Sequence, residues 1–179
     1  MEKDIKYDFS QFVTVSREQR SFKEMIDDIF DFIKKDPESD YKIIIGTDSE
    51  GYGEVFYATA VVVHRVGNGA RAFICKNIIH TPNRVLRDKI YNESMLSLSL
   101  AQELSPHLAR MLGEDFIESN FVIHSDIGNN GETKDMIKEV VGMVRGYGFQ
   151  VEIKPESYAA SSVADRFAVP PKKAASPAL

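Results

Sequence analysis

Two hydrophobic periods alternate along this chain. The first twenty residues show neither. From Ser21 the pattern becomes helical: Ser21-Phe22-Lys23-Glu24 reads as a capping box, and Phe22, Ile26, Ile29, Phe30 and Ile33 recur at helical spacing until Asp36-Pro37 ends the run. Three strand patterns follow. Tyr41 to Asp48 (YKIIIGTD) is a short apolar run of the kind buried on both faces, Glu54 to Val66 (EVFYATAVVVHRV) is long and β-branched, and Ala70 to Ile79 (ARAFICKNII) is the third. Gly51 and Gly53 punctuate the first connection. Gly67-Asn68-Gly69 makes the second a tight hairpin, with Asn-Gly expected to supply the positive φ angles.

The pattern then changes to helix, strand, helix, strand, helix. Arg84 to Leu104 is a long helix that Pro106 is expected to break or kink, with a short amphipathic piece continuing to Met111. Phe121 to Asp126 is a strand, Gly131 to Tyr147 a helix closed by Gly146 and Gly148, Phe149 to Ile153 a strand, and Ser157 to Phe167 a helix of small residues. The order βββαβαβα, with right-handed crossovers, predicts an α/β fold. Its five-stranded mixed sheet has the order 3-2-1-4-5, the second strand is antiparallel, and helices cover both faces. Residues 1–40 form an N-terminal extension with one extra helix, 41–168 the domain, and 169–179 (VPPKKAASPAL) have the composition of a disordered tail.

Composition changes this picture little. Of 179 residues, 43% are hydrophobic and 27% charged, an ordinary globular balance. No apolar stretch is long enough for a transmembrane helix, and the start MEKDIKYDFS does not resemble a secretory signal. Cys75 is the single cysteine, so an intrachain disulfide is excluded and a reducing, cytoplasmic setting is expected. The net charge of −5 argues against a protein that coats nucleic acid by charge alone. It leaves room for an enzyme whose metal ions meet the phosphates.

The candidate chemistry lies in four carboxylates. Asp48 ends the first strand of the meander and Asp126 ends the fourth strand. If those strands are neighbours, two like charges sit together at the carboxyl ends of the sheet, where a divalent cation is the usual remedy. Taken singly, each also suits a turn, since GTDSEGYG and SDIGNNG are turn-like. Glu93 shares a helix stripe with Leu86, Ile90, Ser97, Leu100 and Leu104, and so faces the sheet. An inward glutamate must be paired, hydrogen-bonded or on a metal, the alternative partners being Arg87 and Lys89. Asp88 lies off the stripe. Asp165 belongs to the last helix beside Tyr158, Ser161 and Ser162, and alone it reads first as an ordinary aspartate paired with Arg166 or Lys172. His124 shares a strand face with Asp126 and reads as a buried neighbour of the site rather than a ligand. Lys134, Lys154 and Arg166 follow the candidate segments closely and suit either phosphate contact or a solvated surface. No Walker loop, zinc spacing or GxSxG nucleophile motif is present.

The segments IGTDSE, RDKIYNES, HSDIGNNGETK, VVGMVRGYGF and KPESYAASSVADR resemble the YkuK-like family of predicted ribonuclease H-related proteins, over roughly Tyr41 to Phe167. That resemblance implies the three-layer α/β/α ribonuclease H-like fold and a nuclease site on Asp48, Glu93, Asp126 and Asp165. Two divalent ions, Mg²⁺ or Mn²⁺ given the oxygen ligands, would serve phosphodiester hydrolysis of RNA or DNA. The alternative is a non-catalytic module of the same fold that binds nucleic acid or a protein partner. No histidine lies between Asp126 and Asp165, and no basic protrusion is visible, so cleavage of RNA–DNA hybrids is not implied.

Overall fold

The computed structural model describes residues 7–51, 53–80, 85–128 and 134–168. The expected starts of two helices (Arg84 and Gly131) and the expected tail lie outside them. Seven strands form one sheet: β1 (Gln11–Thr14), β2 (Gln19–Ser21), β3 (Tyr41–Glu50), β4 (Glu54–Arg65), β5 (Ala70–His80), β6 (Phe121–Ser125) and β7 (Gln150–Ile153), in the order β2-β1-β5-β4-β3-β6-β7. Its inner five strands reproduce the expected order, with β4 antiparallel to β3 and β5, and β6 parallel to β3 and β7.

Five strands were expected and seven are found. The N-terminal stretch carries a β1–β2 hairpin before its helix, and β1 pairs antiparallel with β5. The pattern of residues 11–21 hid this because the strands are four and three residues long. Their turn is made at Arg17, with φ 67°, and not at a glycine that would have marked it.

Five helices complete the fold: α1 (Phe22–Lys34), α2 (Leu86–Leu112), α3 (Glu114–Asn120), α4 (Ile137–Gly146) and α5 (Tyr158–Asp165). The capping box at α1 is formed: the Ser21 hydroxyl accepts from the Glu24 amide at 3.3 Å, and the Glu24 carboxylate accepts from the Ser21 amide at 2.7 Å. The apolar stripes of α1 and α2 bury Met25, Ile29, Leu96, Leu100 and Leu104 against Ile43, Ile45, Val61 and Phe73 on one face of the sheet. The other face carries Ile44, Ala58, Ala60, Val62 and Ile74, and there the small residue Ala164 of α5 lets the helix lie close.

Three local expectations are corrected. α2 runs unbroken through Pro106. The residue four positions back, Gln102, whose carbonyl loses its helical donor to the proline, is exposed. Leu86, expected on the buried stripe, is 42% exposed at the first turn. In the β4–β5 turn the left-handed residues are Gly67 (φ 74°) and Gly69 (φ 91°), not an Asn-Gly pair. The short α3 was not foreseen, since seven residues hold too few turns to display a period. No described helix is long and apolar enough to cross a membrane.

Candidate functional site

Parallel pairing between β3 and β6 ends at Gly46 opposite His124. Two residues further along each strand direction come Asp48 and Asp126. They therefore share one level and one face, the face covered by α5. Asp48 lies inside β3, which continues to Glu50 by pairing with β4, whereas Asp126 follows the last residue of β6. Neighbouring strands are ~4.8 Å apart, so the two carboxylates are held as neighbours by main-chain geometry. α5 crosses above them. Asp48, Asp126, Asp165 and Ser162 line one open cleft of about 240 Å³.

Glu93 approaches from the other side. Thr47 and Ser49 of β3 point to the α2 face. There the Thr47 hydroxyl hydrogen-bonds Ser97 at 2.8 Å, and the Ser49 hydroxyl donates to Glu93 Oε1 at 2.5 Å. Lys89, one turn before Glu93, donates from Nζ to the Ser49 carbonyl at 2.9 Å. Arg87, the other cation weighed as a partner for Glu93, instead pairs with Glu139. A narrow recess bounded by Glu93, Ser94, Ser97 and Ser125 meets the cleft at Asp126, the residue common to both. The four carboxylates thus reach the ends of β3 and β6 from both faces of the sheet.

The electrostatics are those of crowded like charges. Burial pushes the Glu93 carboxyl up to about 8, against a lowering by the Ser49 hydroxyl, and Asp48 and Asp126 add to the rise. Burial likewise raises Asp48, with Asp165 and Asp126 contributing and the Ser49 amide and Lys89 opposing. Lys154 Nζ lies 2.8 Å from Asp126 Oδ1. His124 is buried with Nε2 at 2.9 Å from Glu152; burial lowers its pKa against the pull of that carboxylate, so it is a buried neighbour of the site, as its strand face suggested.

The donor set is all oxygen and suits a hard divalent cation. As the side chains stand, no group of three or more His, Cys, Asp or Glu among the described residues is gathered tightly enough to hold one ion. Asp126 is engaged by Lys154 and Glu93 by Ser49, so chelation by all four would need side-chain rotation. Lys154, read from the sequence as either a phosphate contact or a solvated surface charge, pairs with Asp126. Ser49 had no sequence signal as part of the site, and Lys89, weighed as a partner of Glu93, instead reaches the Ser49 carbonyl, a contact that crosses from α2 to β3.

A family model described as Ribonuclease H-like matches residues 24–169. The chain belongs to the ribonuclease H-like family. It is also 34% identical over 165 residues to a Bacillus subtilis (strain 168) protein titled "Uncharacterized protein YkuK", an alignment covering 87% of this chain and 95% of that one. No solved structure matches the chain. The ribonuclease H-like assignment agrees with the inner five-stranded order and with helices on both sheet faces.

Proposed function

We propose that this ribonuclease H-like protein is a divalent-metal-dependent nuclease that hydrolyses phosphodiester bonds of RNA or DNA by a two-metal mechanism. The observation that carries the reading is the cleft shared by Asp48, Asp126 and Asp165, with Glu93 in the adjoining recess that meets it at Asp126 and held largely protonated near neutral pH by burial and charge crowding. Mg²⁺ or Mn²⁺ ions, the kind the superfamily generally uses, would supply activation of the attacking water and stabilisation of the leaving oxygen. Asp48, Glu93, Asp126 and Asp165 would hold them. Ser49 orients Glu93 by its hydroxyl, and Lys89 fixes the strand carbonyl beside it. Lys154 balances the charge on Asp126 and, being largely exposed, would be free to meet a phosphate oxygen brought to that carboxylate.

The second reading, a non-catalytic module that binds nucleic acid or a protein partner, draws on the carboxylates not forming a ready chelating cluster. Cleavage of single-stranded, duplex and hybrid substrates in Mn²⁺ separates the two. We expect wild type to cleave at least one substrate, and Asp48→Asn, Asp126→Asn and Asp165→Asn each to lose about a hundredfold or more while remaining folded. Inactive wild type would favour the non-catalytic module, and Asp→Asn variants that cleave normally would remove these carboxylates from the site.

A further inference from the structure

On the α5 face a groove of about 510 Å³ lies beyond the carboxylate cleft, between the β1–β2 turn and the C-terminal end of α5, lined by Val13, Val15, Arg17, Lys76, Arg166 and Phe167. We propose that this groove binds a single strand of nucleic acid and leads it to the cleft.

Three of the six lining residues are cations and none is a carboxylate, in a chain of net charge −5. All three are exposed, and among the described residues no acid pairs with any of them. Interleaved with the charges are apolar surfaces. Val15 is 60% exposed, Val13 and Phe167 are partly so, and the Lys76 ammonium lies 6.0 Å from the centre of the Phe167 ring. A single strand offers phosphates together with unstacked base faces, and cations alternating with apolar and aromatic faces match both. A duplex keeps its bases stacked inside and offers this surface little beyond phosphate.

Strand register sets the groove close to the cleft, on the other side of α5. Asp48 pairs with Ala58, and Ala58 pairs with Lys76, so the three form a row across β3, β4 and β5 on one face. At ~4.8 Å per strand, Lys76 stands about 10 Å from Asp48 along the sheet. Along the chain, Arg166 and Phe167 directly follow Asp165. Arg17 supplies an independent sign. It is a non-glycine residue in the left-handed region, with φ 67°, a position where glycine or asparagine would sit with less strain. The turn itself has no need of a guanidinium there.

The proposal rests on the nuclease reading for what happens to the strand, while binding is measured without it. The experiment is fluorescence anisotropy of the full chain in excess chelator, over a salt series. The probes are labelled RNA and DNA single strands of about 12 nucleotides and the matching duplexes. We expect single strands to bind more tightly than duplexes. Lys76→Gln combined with Arg166→Gln should weaken single-strand binding about tenfold and reduce the salt slope by about 0.7 per phosphate contact removed. Arg17→Gly should weaken binding with an unchanged or raised melting temperature, because glycine relieves the left-handed residue. Unaltered binding in the variants, tighter duplex binding, or no single-strand binding by wild type at low salt would each overturn the groove. Strand binding that depends on these cations in a protein that cleaves nothing retains the groove and removes the nuclease reading. Cleavage that the groove variants leave intact does the reverse.

Discussion

Glu93 concentrates the physics of the candidate site in one side chain. In the folded protein it keeps its proton up to about pH 8, whereas an unfolded glutamate releases it near 4.5. Between those values the folded state binds more protons than the unfolded state, so stability falls as pH rises from about 4.5 to about 8 and is lowest above that window. At ~1.4 kcal/mol per pKa unit, this penalty above the window is on the order of a few kcal/mol. Glu93→Gln removes this cost and keeps an oxygen to accept from Ser49. Metal-free urea melts should show the variant more stable than wild type at about pH 8.5, with a flatter pH dependence, and metal-dependent cleavage should fall about a hundredfold. A variant less stable than wild type at that pH, with cleavage intact, would take Glu93 out of the site.

Among the elements, the β1–β2 hairpin differs most from its sequence pattern. It adds two strands to the sheet edge and presents Arg17 to the groove, yet Phe12 is its single fully buried side chain. Phe12 is 1% exposed, belongs to the main core and contacts the Phe22 ring at the start of α1, 6.3 Å between ring centres. Phe12→Ala should therefore cost about 3–5 kcal/mol in urea denaturation. A loss below ~1 kcal/mol would mean that the hairpin is an ornament on a sheet that ends at β5. Residues 22–33 were legible because a capping box and five apolar positions repeat one period. Residues 11–21 were not, because one buried aromatic in four residues cannot establish a period of two.

At the scale of the whole molecule, like charges are gathered from β3, β6, α2 and α5 around a site with cationic counterweights at Lys154 and Lys89. An ion that binds the folded state alone stabilises it by RT ln(1 + [L]/Kd), ~2.7 kcal/mol at a hundredfold excess over Kd. For a chain of this size that raises the melting temperature by roughly 5–10 °C. Millimolar Mn²⁺ or Mg²⁺, added at constant ionic strength, should produce such a shift in wild type and a much smaller one in Asp48→Asn. Equal shifts in both proteins, or none in either, would count against a metal site at these carboxylates.

The inner sheet order, the helix that carries Glu93, and the placing of Asp48 and Asp126 near the ends of β3 and β6 follow from the sequence alone. Each depends on local periodicity, turn chemistry and the handedness of crossovers, which act over neighbouring residues. Tertiary structure decided the rest. It set the pairing end at Gly46 and His124, which aligns Asp48 with Asp126. It brought Ser49 to Glu93 and Lys154 to Asp126, and it docked β1 beside β5 so that Arg17, Lys76 and Arg166 line one groove. These contacts join residues far apart in the chain through strand register and helix docking, and no short-range pattern in the sequence encodes either.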